Sequence, residues 1–181
     1  MRILGISGSN RKDSLNTMLL WAAAQLLPPG AELEVWEGLR DLPVYDGDED
    51  PLGRPAAVQE LWDAVAGADA VLIATPEYNH SIPGGLKNAL DWLSRPLADS
   101  PLRGKPALVI GASTGMFGAV WAQAEVRKVL GALGADVVDE ELPVGSAADR
   151  FDADGRLVDE EITGRLRDLA AQLGRPARAA A

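Results

Sequence analysis

Short apolar runs alternate with longer amphipathic stretches along the chain. Runs at 3–6, 33–36, 70–75, 107–112 and 136–138 are bounded by Gly, Pro or charged residues and predict five strands. Helical spacing covers roughly 14–27, 55–67, 84–95, 117–133 and 157–173. This alternation predicts an α/β fold of three layers, a parallel sheet with helices on both faces, because parallel neighbours must be joined by crossovers. Ala70-Val71-Leu72-Ile73-Ala74 has no polar position, as expected of a central strand covered on both sides.

Helix faces carry a second layer of information. In the 117–133 stretch, Ala119, Ala122, Val126, Val129, Leu130 and Leu133 fall on one face and Val120, Trp121 and Ala124 almost opposite, given a turn of about 100° per residue. The first stripe predicts core, and the tryptophan-bearing stripe predicts contact with another copy of the chain. In 84–95, Leu86, Leu90 and Leu93 form the core stripe and Trp92 lies beside it. The alternative is that these tryptophans cover neighbouring loops. After a turn-rich segment, "RFDADGRLVDEE", comes a last helix and then "GRPARAAA", which lacks periodicity. One domain over 1–175 with a frayed tail at 176–181 is expected.

Composition narrows the chemistry. The chain of 181 residues holds 27 acidic and 17 basic side chains, a net charge of −10, which disfavours nucleic acid and anionic membranes as partners. A phosphate site on this background needs a local cation. Cysteine is absent, excluding disulfides, thiolate nucleophiles and dithiol relays, so redox chemistry would have to come from a bound cofactor. The few apolar residues before Ser7 are too short for a signal core, and no apolar run reaches membrane-spanning length, which predicts a cytoplasmic protein.

Three strand-to-helix loops could carry function. "GISGSNRKDSLN" at 5–16 follows the first strand and opens a helix, so backbone N–H groups and the positive helix end would face a ligand. It matches neither the Walker A spacing nor the dinucleotide fingerprint. Ser9, Arg11, Ser14 and Asn16 offer hydroxyl, guanidinium and amide donors, although Ser14 could equally be only a helix cap. "TPEYNHSIPGGLKNALDW" at 75–92 follows the most apolar strand, at the sheet edge where open α/β folds bind ligands. Pro76 and Pro83 stiffen it; Tyr78, with Glu77, Asn79 and Ser81, could face a planar heterocycle, with Ser81 or a neighbour starting the next helix. His80, the single histidine, reads more readily as a surface residue than as a catalytic acid. "GASTGMFG" at 111–118 lets backbone approach a ligand.

The pair "GSNRKDSLN" and "PEYNHSIPGGLKNALDW" resembles the signature of the NADPH-dependent FMN reductase family, whose relatives include chromate, quinone and azo-dye reductases. The resemblance implies a flavodoxin-like fold, a five-stranded parallel sheet of order 2-1-3-4-5, FMN as cofactor and NADPH, or NADH, as co-substrate. It implies that Ser9, Arg11, Ser14, Asn16 and Thr17 hold the FMN phosphate, that Pro76, Glu77, Tyr78 and Asn79 line the ring with Ser81 nearby, and that Ser113 and Gly115 lie close to the flavin. Hydride would pass to N5 and on to a small acceptor in a ping-pong cycle, with no strictly catalytic side chain and with Glu77 and Tyr78 shaping the open ring face. It further implies a homodimer or homotetramer in which Arg95 could reach a neighbour's cofactor. Lys87, Arg95, Arg103 and Lys105 are candidates for the nicotinamide nucleotide's 2′-phosphate. A flavodoxin-type electron carrier is the alternative, and a flavin or nucleotide sensor without turnover a more distant one; direct reduction by NADPH separates the carrier from the reductase.

Overall fold

The computed structural model describes residues 1–48 and 53–174; the expected tail at 176–181 lies outside them. Strands β1 (Arg2–Ser7), β2 (Glu32–Trp36), β3 (Ala70–Ala74), β4 (Pro106–Ala112), β5 (Asp136–Val137) and β6 (Leu142–Val144) alternate with helices α1 (Leu15–Leu26), α2 (Ala56–Gly67), α3 (Gly84–Leu93) and α4 (Val120–Ala132), and α5 (Glu160–Ala170) closes the order. The parallel sheet has the order β2-β1-β3-β4-β5, as expected. Its fifth position is divided: β5 pairs with Pro106 and Ala107 of β4, and β6 takes over at Ile110 to Ala112.

Side chains alternate across the sheet with the period of two that strands impose. Leu4, Ile6, Val71, Ile73, Ala107 and Val109 pack towards α2, α3 and α4. Ile3, Ala70, Leu72, Leu108 and Ile110 pack towards α1 and α5. The turn of direction at β1 puts α1 alone, joined later by α5, on one face. Of the core stripe expected on α4, Ala119, Ala122, Val126, Leu130 and Leu133 are buried and Val129 is half-buried, whereas Trp121 is 41% exposed. Trp92 is buried: its Nε1 donates to the Pro43 carbonyl at 2.9 Å and Tyr45 meets it edge-on, so this tryptophan covers a loop and faces no partner. Among the described residues no helix is long and apolar enough to cross a membrane.

Two helices are capped locally. Ser14 Oγ accepts from the Thr17 N–H at the start of α1, and Asp159 from the Ile162 N–H at 3.0 Å at the start of α5. That bond first, and an ion pair to Arg150 at 2.7 Å, hold the Asp159 carboxyl below the usual carboxylate range. With the folded pKa lowered, the stabilisation is complete above the unfolded value and is lost as pH falls through the folded one. Asp159→Asn keeps a capping oxygen and removes the charge. Its denaturant midpoint is expected to lie below wild type at neutral pH and to converge with it in acid; a gap that persists in acid would show that the charge is not the source.

Candidate functional site

The carboxyl ends of β1, β3 and β4 stand side by side, with Ser7 in register with Ala74 and Ala74 with Ile110. Loops 8–14, 75–83 and 113–119 therefore open on one edge. They enclose a cleft of about 150 Å³ lined by Ser9, Arg11, Ser14, Asn16, Pro76, Glu77, Tyr78 and Ser113, together with Leu15, Ala112 and Thr114. Eight of the expected site residues thus meet; Thr17, Asn79, Ser81 and Gly115 do not line this cleft.

The first loop leaves Gly8 tied to the Ala74 carbonyl at 2.8 Å and then turns into α1. Ser14 accepts from Thr17, which leaves its own O–H free to donate, so capping and ligand contact are compatible. The N–H groups of Leu15 and Asn16 have no acceptor among the described residues, as the first turn of a helix leaves them. The Arg11 guanidinium has no ion pair or hydrogen bond there either. An unpaired cation, open N–H groups and a helix's positive end in one corner make an anion socket.

The Asn16 side chain is already engaged within the protein. Its Nδ2 donates to the Ala112 carbonyl at 3.0 Å and its Oδ1 accepts from the Ala112 N–H at 2.9 Å, so the buried side chain binds α1 to the end of β4. What it offers the cleft is its backbone N–H. Thr17 Oγ1 likewise donates to Ser7 Oγ at 2.9 Å and faces a neighbouring cleft.

In the second loop Tyr78 and Ser81 exchange both backbone hydrogen bonds, at 3.2 and 3.1 Å. Asn79 and His80 between them have φ of 54° and 61°, both positive, which is the two-residue hairpin turn whose twist suits flanking strands. Asn79 is there because asparagine tolerates this backbone, and it stands exposed at the tip. Ser81 Oγ donates to Glu125 Oε2 of α4 at 2.6 Å; α3 starts at Gly84, with Pro83 at the position before it and no side-chain cap. His80 is a surface residue with its ring edge-on to Trp121 and its Nδ1 3.5 Å from Glu77.

Glu77 has a task that local sequence reading missed. The residue before α4, Ala119, has a left-handed backbone and no capping side chain. Glu77 Oε2 accepts from the Trp121 and Ala122 N–H groups at 3.0 and 3.1 Å and caps that helix from 44 residues away. The signal available was negative: 117–120 contains no Ser, Thr, Asp or Asn.

The third loop is held by its neighbours. Ser113 donates its N–H to Val144, Ala147 donates to Ser113, and Ser146 donates to Gly115 at 2.9 Å. Gly115 acts through this packing. Beside the cleft lies an exposed apolar patch of Tyr78, Met116, Phe117 and Trp121, with the Phe117 and Trp121 rings 5.0 Å apart.

The basic residues offered for a 2′-phosphate do not line this cleft. Chain direction explains it: α3 runs back from the site, so the residues after it lie at the opposite edge of the sheet. Arg95 sits there over Tyr45, Arg103 donates to the Leu97 carbonyl, and the Lys105 Nζ contacts the Ala68 carbonyl. Lys87 is paired with Asp91 at 2.6 Å.

Similarity to known proteins extends over most of the chain. The chain is 44% identical over 162 residues to an NAD(P)H-dependent FMN reductase of Pseudomonas aeruginosa, covering 89% of this chain and 86% of the relative. It is 39% identical to a quinone reductase of Escherichia coli, over 96% and 92% of the two chains. The solved structure of the flavoenzyme NAD(P)H:(acceptor) oxidoreductase FerB from Paracoccus denitrificans superposes with a TM-score of 0.84 at 37% identity, over 93% of this chain and 92% of that one. Residues 1–149 match the family described as NADPH-dependent FMN reductase. Fold, loop placement and these matches converge, and the chain belongs to the NADPH-dependent FMN reductase family.

Proposed function

We propose that this chain is an FMN-dependent NAD(P)H oxidoreductase that delivers electrons to quinone-type acceptors. The observation that carries the reading is the anion socket at Arg11 and the start of α1, set beside the stiff wall of Pro76 and Tyr78. FMN has a dianionic end and a flat apolar end, and those two surfaces suit them. Ser9, Arg11 and Ser14, with the Leu15 and Asn16 N–H groups, would hold the phosphate. Pro76, Glu77, Tyr78 and Ser113 would line the ring, while Thr17, Asn79, Ser81 and Gly115 fix the loops that carry them. Bound FMN supplies hydride acceptance at N5 and electron release, chemistry no side chain of a cysteine-free chain offers. The chain's own part is orientation: the hairpin anchored to α4 holds one wall still and leaves the other side open. One open face obliges nicotinamide and acceptor to take turns, so a ping-pong pattern is expected. Quinone as acceptor class is supported by the E. coli relative's name, and a single domain over 1–175 by the two cores that share one sheet; the cytoplasm is the compartment proposed for it.

The test is anaerobic mixing of FMN-loaded protein with NADPH and, separately, NADH. Fast bleaching of the oxidised flavin that reverses when benzoquinone is added is the expected result. A firmly bound flavin that neither nucleotide bleaches would overturn the reductase reading and favour an electron carrier.

The exposed patch around Trp121 is where a second copy is expected to dock, closing the side of the cleft at Tyr78. Trp121→Glu is expected to shift the protein towards monomer in light scattering. A wild-type protein that is monomeric at micromolar concentration would defeat this assignment.

A further inference from the structure

A second cleft of about 350 Å³ lies on the other side of the β1–α1 loop, between that loop and the end of β2. It shares Ser9 and Arg11 with the first cleft. Two indoles face it: Trp21 from α1, 48% exposed, and Trp36 at the end of β2, whose ring lies over Gly38 so closely that a Cβ there would sit 2.5 Å from Cζ2. Lys12 and Arg11 stand on its loop side with no ion pair among the described residues. Glu37, the first residue after β2, is exposed on its rim and equally unpaired there. Asp41 is a second carboxylate on the lining, and Arg40, also there, is tied to the Asn10 carbonyl at 2.7 Å. Aromatic walls, loop cations and two carboxylates in a chain of net charge −10 describe a specific ligand: a planar base, a phosphate and a hydroxyl-bearing sugar between them.

Topology places these groups in a meaningful order. In strand–helix–strand units that bind nucleotides, phosphate lies over the loop after the first strand and an acidic residue at the end of the second accepts from the ribose hydroxyls. Residues 2–36 form such a unit, and Glu37 occupies the acidic position.

We propose that this cleft takes an adenosine 5′-phosphate with a free 2′-hydroxyl, its purine against Trp21 and Trp36, its ribose against Glu37 and its phosphate towards Arg11 and Lys12. A carboxylate beside the ribose repels a 2′-phosphate, so the adenosine end of NADPH is a poor occupant. Two sources supply the favoured group: the adenylate half of FAD, whose diphosphate would cross from one cleft to the other at Ser9 and Arg11, or that of NADH. The assignment of an adenosine 5′-phosphate stands on the second cleft; naming FAD or NADH as its source rests on the flavin reading.

FMN-loaded protein titrated by calorimetry with 5′-AMP and with 2′,5′-ADP tests it. AMP is expected to bind about tenfold more tightly than 2′,5′-ADP. Trp21→Ala and Lys12→Ala should each weaken AMP about fivefold while FMN retention is unchanged. Glu37→Gln should narrow the gap between the two probes. No saturable heat from AMP, AMP affinity unchanged in both variants, or a gap that Glu37→Gln leaves intact would overturn the proposal. Failure of wild-type protein to retain FMN would sink the flavin reading alone, because the AMP titration can be run without flavin. An apoprotein that prefers FAD to FMN, with the preference erased by Trp21→Ala, assigns the FAD source; a raised KM for NADH in Trp21→Ala with no FAD preference assigns NADH.

Discussion

Gly145→Ala is expected to destabilise the protein by about 3 kcal/mol and to abolish firm flavin retention together. A Cβ on Gly145 would run into the Met116 carbonyl oxygen, with the carbonyl carbon at 2.8 Å. Both sides of this contact are backbone, so no rotamer change relieves it. A Cβ on Gly118, whose φ is 57°, would likewise lie 2.5 Å from the Pro143 and Val144 backbone. The two segments are pinned by three hydrogen bonds through Ser113, Gly115 and their partners. Separating them displaces Ser113 and Thr114 from the cleft wall. Urea denaturation and flavin retention on desalting measure the two effects. Gly131→Ala is the control: nothing lies within 4 Å of its added Cβ, and alanine in an exposed turn of α4 should raise stability by about 0.5–1 kcal/mol. Equal stability of Gly145→Ala and wild type would show that the loops yield freely.

Arg11→Ala is expected to weaken FMN binding by about 10- to 100-fold, the range that loss of a charge-assisted contact of about 1.5–3 kcal/mol gives. The chain's net charge of −10 works against a dianion, and Arg11 is a cation in the cleft whose guanidinium has no ion pair among the described residues. Arg11→Lys should fall between, since an ammonium keeps the charge and loses the two-pronged geometry. Once saturated with FMN, the alanine variant should be bleached by NADPH at nearly the wild-type rate, because the guanidinium grips the far end of the cofactor. Fluorescence titration reads the affinity and stopped flow the bleaching. Unchanged affinity would remove Arg11 from the phosphate site; a collapsed bleaching rate at saturation would give it a part in the chemistry.

Both variants sit where sequence reading succeeded unevenly. The runs that became β1, β3 and β4 are continuous and apolar because those strands are covered on both faces, and a local pattern suffices to find them. The fifth position did not read cleanly, because β5 has two residues and β6 three with Pro143 in its middle, too few for any period to show. Arg11 and Ser14 were legible since a helix start and its cap lie within a few residues. The roles of Asn16 and Glu77 were not: their partners are 96 and 44–45 residues away, and neither side chain's type says whether it faces a ligand or a backbone. Trp92 and Trp121 pose the same problem, both lying off a helical stripe. Which one is buried depends on whether the loop at Pro43 happens to cross above it.

The hairpin at 78–81 and helix α4 are clasped from both directions, Glu77 reaching to the Trp121 and Ala122 amides and Glu125 accepting from Ser81 and from the Ile82 amide. In hydrogen–deuterium exchange such reciprocal ties make two segments one unit of local opening. The amides of Trp121, Ala122, Ser81 and Ile82 should therefore share one protection factor, although they lie in separate parts of the chain. Glu77→Gln should lower that shared value for all four, whereas a drop limited to the two helix amides would mean that hairpin and helix breathe independently. If they move as one, any event that loosens the first turn of α4 also widens the mouth of the cleft.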